Sequence, residues 1–190
     1  MSFDPNMGIP DEVTKAAEEM SSTDFNLKVP DGVQRKNQYY ARWTEYVVIE
    51  RAVCEPNEEK GRLQYQVKYK VLPLDESSPN AGRTFVEFMN YNPGEAAAIA
   101  PGTEFAAMTG EQKMSVMTAG KLKQFAVAAK LPAALTAATL NGLFPRGDVE
   151  SALNGMKFVF TVLDNSNPKK QFNGKNSQGI DAVAPAPEGA

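Results

Sequence analysis

The sequence predicts a mainly β domain of five strands, in which a helical insert separates the third strand from the fourth. Three observations predict this architecture. Residues 62–71 alternate between polar and apolar side chains, residues 94–138 are rich in alanine and methionine, and residues 156–163 return to a β-rich composition. A change of hydrophobic period from two to about 3.6, and back again, marks the places where strands give way to helices.

The first three strands follow one another before the insert. Residues 39–53 are aromatic and β-branched without proline or glycine, which favours a long strand, and their imperfect alternation indicates a bend or bulge. Residues 54–61 form a polar connector. Residues 62–71 place Leu, Tyr and Val on one face and Arg, Gln and Lys on the other. After a turn-rich stretch at residues 73–82, residues 83–91 predict the third strand.

The insert contains the signals of a capped helix. Thr109 and Gln112 have the spacing of a capping box, in which each residue satisfies a backbone N–H of the other. The apolar residues that recur downstream at helical spacing are Met114, Met117, Leu122 and Phe125. They predict one long helix that packs on the strands.

A second helix and two more strands complete the domain. Pro132 ends or restarts the first helix, and residues 133–140 continue as a second one. The fourth strand is predicted at residues 156–163 and a weaker fifth strand at residues 179–183. The polar stretch 164–178 is the loop that joins them.

Three strands, helices and two further strands follow the order of a five-stranded oligonucleotide-binding (OB) barrel. Closure of such a barrel would remove the exposed strand edges. The alternative is an open antiparallel sheet with helices packed on one side. The order of the elements is compatible with both.

The two ends of the chain differ from its middle. Residues 1–34 hold seven acidic residues and two lysines, and predict an acidic arm that is flexible or loosely docked, in which residues 11–20 could form one short helix. Residues 184–190 predict a flexible tail. The OB-like domain is therefore expected over residues 35–183, with its helical insert over residues 94–154.

The amino-acid composition excludes several kinds of catalytic and metal site. The 190 residues include no histidine and a single cysteine, Cys54. Histidine-based triads, histidine-ligated metals, an intramolecular disulfide and a cysteine-ligated zinc or iron–sulfur site are thereby excluded. Neither GxGxxG nor GxxxxGK[ST] occurs. We expect a non-catalytic protein without cofactors, and an enzyme that uses carboxylates alone is the remaining catalytic alternative.

No apolar run is long enough to span a membrane, and the first residues lack the pattern of a signal peptide. We therefore expect a cytoplasmic protein that does not contact a membrane. In a reducing compartment Cys54 would be a free, packed thiol.

The polar face of residues 62–71 is the main candidate for binding. Successive side chains on this face are spaced about 7 Å apart along the strand. Its cations would neutralise backbone phosphates, and nearby aromatic side chains would stack on bases. A solvated strand face also presents Lys, Arg and Gln to water, so this alternative stays open. The candidate binding residues on the three strands are Tyr40, Arg42, Tyr46, Arg62, Gln64, Lys68, Lys70, Arg83 and Phe85.

The loop over residues 164–178 contributes a second group of candidates. It interleaves basic residues with one aromatic residue, and in an OB barrel it would flank the binding groove. A solvated hairpin tip is the alternative. The candidate residues of this loop are Lys169, Lys170, Phe172 and Lys175.

Short motifs give the chain a resemblance to a known family. The motifs are Pro30-Asp31-Gly32 before the aromatic first strand, Val71-Leu72 at the end of the second, Gly82-Arg83 opening the third, the Gly155 start of the fourth, and Phe172-Asn173-Gly174. Over residues 30–183 the sequence resembles phage-encoded single-stranded-DNA-binding proteins of replication and recombination modules, a family catalogued as a domain of unknown function. The resemblance implies an OB-like fold and binding of single-stranded DNA without sequence preference. Replication or recombination proteins are candidate partners, self-association stays open, and a phage-encoded protein would act in the host cytoplasm.

One departure from that family lies at the C-terminus. Many single-strand-binding proteins recruit partners through an acidic tail that ends in an aromatic residue, whereas residues 184–190 contain one acid and no aromatic residue. The alternative function is protein–protein interaction. An accessory or inhibitor module would use the methionines and alanines of residues 94–142 to grip a host or phage enzyme.

Overall fold

The computed structural model describes residues 8–23, 40–73, 80–132, 134–165 and 177–189. Within these residues the chain forms five strands and four α-helices. The strands are β1 (Tyr40–Asn57), β2 (Arg62–Val71), β3 (Thr84–Tyr91), β4 (Lys157–Asn165) and β5 (Ser177–Pro185). The helices are α1 (Asp11–Thr23), α2 (Pro93–Ala97), α3 (Gly110–Ala128) and α4 (Ala137–Leu143).

The strands form one antiparallel sheet in the order β3-β2-β1-β4-β5. The predicted succession of three strands, helices and two strands is therefore confirmed. The predicted closure is not, because β3 and β5 are the edges of an open sheet. The alternative interpretation, an open antiparallel sheet with helices on one side, describes this architecture. In the described part of the chain, no helix combines the length and the apolar character needed to cross a membrane.

Strand β1 is longer than predicted. Residues 54–57, expected to belong to a connector, extend the pairing with β2 as far as Asn57 opposite Arg62. The expected irregularity is confirmed, because the register shifts between Ile49 and Arg51 and leaves Glu50 as the extra residue of a bulge. A bulge increases the local twist of a strand and re-aims its side chains.

The core lies on the face of the sheet that the helices cover, here called the inner face. Phe125 of α3 makes edge-to-face contacts with Phe144, Phe158 and Phe160 at centroid distances of 5.8, 5.9 and 5.8 Å. Tyr65 of β2 meets Phe144 in the same geometry at 5.3 Å. Ring pairs of this kind stabilise a core beyond the area they bury, so these aromatic residues hold α3 against the sheet.

Helix α3 begins with the predicted capping box. Thr109 Oγ1 accepts the N–H of Gln112, and Gln112 Oε1 accepts the N–H of Thr109. Leu122 and Phe125 are buried as predicted, but Met117 is 45% exposed. Small residues make up much of the buried side of α3, which lets the helix lie close to the sheet and leaves Met117 outside.

A row of polar side chains on α3 also faces the strand edges. The row consists of Ser115, Thr118, Lys121 and Gln124, one at every third position. At the end of β3, Ser115 Oγ accepts the N–H of Asn92 at 2.9 Å, and Thr118 Oγ1 donates to the carbonyl of Asn90 at 2.7 Å. These backbone groups lie on the edge of the sheet, so the helix supplies partners that a neighbouring strand would otherwise provide.

The other half of the row reaches β5. Gln124 Oε1 accepts the N–H of Val183 at 2.8 Å. Lys121 Nζ lies 3.3 Å from Glu87 Oε1 of β3, and the Glu87 carboxylate also accepts the N–H of Ile180 in β5. Helix α3 thus spans the opening between the two edge strands. Its side chains form hydrogen bonds with backbone groups that direct pairing of β3 with β5 would need. This explains why the sheet does not close into a barrel.

The N-terminal segment packs on this helical layer. Helix α1 is the short helix expected within the acidic arm, but Val13 and Ala17 are buried in the core cluster. Ile9 donates its N–H to the carbonyl of Leu135 at 3.0 Å. A Cβ added to Gly8 would lie only 2.9 Å from the same carbonyl oxygen. Of the two predicted alternatives, a flexible or a docked arm, the docked one describes this part of the segment.

Candidate nucleic-acid interface

The face of the sheet opposite the helices, here called the outer face, carries the polar side chains of β2. Alternate residues from Leu63 to Val71 are buried, so Gln64, Lys68 and Lys70 lie on the other side of the strand. Lys68 and Lys70 are exposed. The predicted two-faced character of β2 is confirmed, and its two lysines are accessible to a ligand.

Strand β3 places apolar side chains beside these lysines. Val86 pairs with Lys68, and Phe88 pairs with Gln66. Directly opposite residues of antiparallel strands share a face. Val86 is 46% and Phe88 is 54% exposed. An aromatic ring therefore lies open to solvent next to the cations of β2.

Strand β1 adds residues of both signs. Arg51 pairs with Lys68, and Val48 pairs with Lys70, so both belong to the outer face. The bulge places Glu50 Oε2 3.2 Å from Lys68 Nζ, with side-chain exposures of 34% and 50%. A surface ion pair of this kind contributes only about 0–1 kcal/mol, so a phosphate could compete for Lys68 at little cost. Tyr46, one of the predicted stacking residues, is half-buried.

Arg62 is bound to the helical layer, which corrects its expected position on the open face. Its guanidinium donates from Nε to Glu111 Oε2 at 2.9 Å and from Nη2 to Glu111 Oε1. Asn92 Nδ2 also donates to Glu111 Oε2, at 3.2 Å. Hydrogen bonds from Arg62 and Asn92 hold the pKa of Glu111 below its usual range. Arg62 therefore links β2 to the first turn of α3.

Phe85 also differs from its expected position. It pairs with Tyr69, whose side chain is buried on the inner face, and the two rings stack at 5.7 Å. The guanidinium of Arg83 lies 5.1 Å from the centroid of the Phe85 ring, and Arg83 Nη1 donates to Asn80 Oδ1 at 3.1 Å. Phe85 is therefore on the opposite face from the lysines of β2. Phe88, which pairs with Gln66, lies on the face where Phe85 was expected.

The segment RTFVEFMNY contains two phenylalanines at positions of opposite parity. Only one of the two can share a face with the basic residues of β2, and the register between β2 and β3 decides which. Sequence alternation alone could have flagged Phe88 as the alternative to Phe85.

The remaining predicted side chains lie outside the described parts of the structure. Tyr40 and Arg42 belong to β1, where Arg42 pairs with Leu163, but their side chains are outside the description. The loop candidates outside the described residues are Lys169, Lys170, Phe172 and Lys175.

Two buried titratable groups on the inner side have structural partners. Glu45 is 2% exposed and accepts hydrogen bonds from Trp43 Nε1 at 2.7 Å and Asn80 Nδ2 at 2.6 Å. Cys54 is a free, buried thiol, and burial raises its pKa to about 11. A thiol that stays protonated at neutral pH is a poor nucleophile, so Cys54 fits the packing role predicted for it.

The helical insert exposes little of the methionine surface on which the alternative function depends. Met108 is buried and Met114 half-buried, whereas Met117 and Val127 are 45% and 55% exposed. Ten residues of helix separate the last two, which is about 15 Å. A cavity of about 150 Å³, lined in part by Met117, lies between α3 and β5. Met117 and Val127 are therefore too far apart to form one compact contact patch.

Comparison of the chain with family models, with curated proteins and with solved structures finds no match.

Proposed function

We propose that this protein binds single-stranded DNA without strong sequence preference, through the outer face of β1, β2 and β3. The observation that carries the proposal is the exposed ring of Phe88 on the same face as the exposed side chains of Lys68 and Lys70, with Lys68 at the diagonal position across the two strands. Cations that neutralise phosphates, next to an aromatic platform for bases, are the recurring elements of single-strand recognition.

The charge of this face favours a polyanion even though the whole chain carries a net charge of −3. Arg51, Lys68 and Lys70 outnumber the two acids of the same three strands on this face, Glu50 and Glu55. Local charge, rather than net charge, decides what one face attracts. Phe88 and Tyr46 lie about 20 Å apart along the strands, a span that a short stretch of single strand can cover.

Topology supports the same assignment. We infer an OB-like barrel that is opened between β3 and β5. Four successive antiparallel pairings make these two edge strands run parallel to each other, and Glu87 of β3 reaches the N–H of Ile180 in β5. In OB folds the face of strands 2 and 3 binds oligonucleotides, and this is the face that carries Phe88 here. The resemblance noted in the sequence supports, as part of this proposal, a role in phage DNA replication or recombination in the host cytoplasm.

The proposal is tested by fluorescence anisotropy with an oligothymidylate of about 20 nucleotides, which is longer than the binding site of most single OB folds. Tight binding at low ionic strength should weaken with salt. The log–log slope should be about −2 if Arg51, Lys68 and Lys70 each neutralise one phosphate. Absence of salt-sensitive binding at low ionic strength would contradict the proposal.

Two pairs of variants locate the surface. Lys68→Glu with Lys70→Glu should weaken binding more than tenfold and flatten the salt slope. Lys15→Glu with Lys113→Glu makes the same change of charge on the helical side and should have a much smaller effect. Equal losses in the two double variants would show that only total charge matters.

The aromatic contribution is tested separately. Phe88→Ala should weaken binding at least about fivefold at constant salt, because a base–aromatic stack is worth about 1–3 kcal/mol. Val127→Ala removes an exposed apolar side chain from α3 and should leave binding unchanged. Retention of full affinity by Phe88→Ala would exclude the ring as a stacking platform.

A further inference from the structure

Three amide side chains on the outer face form a chain of hydrogen bonds. Gln66 Nε2 donates to Glu55 Oε2 at 2.8 Å and to Gln64 Oε1 at 3.0 Å. Gln64 Nε2 donates in turn to Asn90 Oδ1 at 3.4 Å. Glu55, Gln64, Gln66 and Asn90 are named below as the amide relay. It crosses from β1 through β2 to β3.

The carboxylate at one end gives the amide relay a direction. An ionised carboxylate only accepts hydrogen bonds, so Gln66 must present its amide nitrogen to Glu55. The same nitrogen also donates to Gln64 Oε1, and Gln64 Nε2 donates to Asn90 Oδ1. This arrangement leaves two amide atoms unused: the acceptor Gln66 Oε1 and the donor Asn90 Nδ2, on the first and the last amide of the relay. Neither atom has a partner among the described residues.

The two unused groups flank the exposed aromatic ring. Gln66 is the direct cross-strand partner of Phe88, and Asn90 follows Phe88 by two residues on the same face of β3. Phe88 is 54% exposed, so a flat ligand can approach it from solvent. A base lying on this ring would place its edge near one fixed acceptor and one fixed donor.

We infer that the amide relay holds the hydrogen-bonding edge of one nucleobase stacked on Phe88. The inference rests on the proposed function and deepens it, because it assigns a base-edge subsite within a surface otherwise built for phosphates and stacking. Every nucleobase carries a donor next to an acceptor on an edge that pairing occupies in a duplex. The subsite therefore tolerates any base but requires a polar edge that is unpaired.

The contribution of base-edge hydrogen bonds can be isolated with 2,4-difluorotoluene. This nonpolar analogue of thymine stacks but forms no base-edge hydrogen bonds. It is placed at each position in turn of the shortest oligothymidylate that keeps full affinity, so that the ligand cannot slide to avoid the subsite. At one position the wild-type protein should bind the analogue about three- to tenfold more weakly than thymine, the range of one or two neutral hydrogen bonds. At other positions the analogue should have little effect.

Variants of the relay should remove that positional penalty. Asn90→Ala deletes the outward donor and should abolish the penalty, whereas Thr84→Ala, on the same face of β3, should preserve it. Glu55→Gln lets the chain of amides reverse and should reduce the penalty by half or more. Glu50→Gln removes an exposed acid of the same face that contacts Lys68 instead, and should leave the penalty intact. Unchanged far-UV circular dichroism and urea midpoints should accompany each variant.

The outcomes separate the inference from the proposed function. Wild-type binding of unmodified oligothymidylate with full tolerance of the analogue at every position would overturn the base-edge subsite and leave single-strand binding in place. A positional penalty that persists in Asn90→Ala and Glu55→Gln would also overturn it. Failure to bind the unmodified oligothymidylate would overturn both.

Discussion

Replacement of Lys121 by methionine should destabilise the fold in a way that depends on pH. Lys121 Nζ lies 3.3 Å from Glu87 Oε1 in the opening between β3 and β5, and the two side chains are only 20% and 12% exposed. Methionine keeps much of the aliphatic length and the helix propensity of lysine but removes its cation. Glu87 would then stay largely buried without its charged partner.

The magnitude follows from the burial of the pair. Exposed ion pairs contribute about 0–1 kcal/mol, whereas removal of one partner from a fully buried pair costs about 3–5 kcal/mol. The low exposures of Lys121 and Glu87 place this pair between the two cases. We expect the free energy of unfolding to fall by about 2 kcal/mol at pH 8.

The sign of the pH dependence follows from the pKa of Glu87. Burial already raises this pKa above its ordinary value, and loss of Lys121 should raise it further. The folded state then binds more protons than the unfolded state between the ordinary and the raised pKa, so stability falls as the pH rises through that window. The variant should therefore lose less stability at pH 5 than at pH 8, because a larger fraction of Glu87 is protonated at the lower pH.

Urea unfolding at the two pH values, followed by the fluorescence of Trp43, measures both quantities. Lys113→Met on the same helix is the control and should cost less than about 1 kcal/mol at either pH, because Lys113 has no buried carboxylate as partner: its Nζ donates to the exposed carbonyl of Ala106 and lies 5.6 Å from the centroid of the Phe105 ring. Adding Glu87→Gln to Lys121→Met should recover much of the loss. An equal loss at pH 5 and pH 8, or a loss no larger than that of the control, would refute the reasoning.

Three further predictions concern the core and the caps. Phe125→Ala should lower the free energy of unfolding by about 3–5 kcal/mol in urea, since the ring is fully buried, and a loss under 1 kcal/mol would contradict its central place. Cys54 should react with a thiol reagent at pH 8 only when urea unfolds the protein, because burial raises its pKa to about 11; fast reaction of the native protein would contradict this. Thr109→Ala should cost about 1 kcal/mol, measured by the same urea titration, whereas Thr103→Ala outside the capping box should cost less.

The two faces of β2 could be predicted from the sequence because side-chain alternation in a strand does not depend on the identity of its neighbours. The order of the elements and the capping box of α3 could be predicted for the same kind of reason, since each depends on local spacing. A long first strand with an irregularity could also be predicted, but the position of the bulge at Glu50 could not. Local patterns thus sufficed for the elements and for the lysines of the outer face.

Features that depend on pairing between distant residues could not be predicted. The choice between Phe85 and Phe88 is made by the register of β3 against β2, and the partner of Arg62 is Glu111, 49 residues away. In the sequence, Ser115 and Thr118 are ordinary polar positions of a helix, yet they satisfy backbone groups at the end of β3. Barrel closure is decided by such contacts, and the sequence pattern contains no direct record of them.

If the protein coats a single strand as we propose, the position of α3 affects how neighbouring copies can meet. Edge strands with unpaired groups invite a further strand from another chain, which leads to fibres or exchanged segments. Here the carbonyl of Asn90 and the N–H of Val183 are already bonded to side chains of α3. A neighbouring molecule would have to displace the helix before it could add a strand at these positions, so crowding on a shared ligand should bring copies together through loops and side chains rather than through merged sheets.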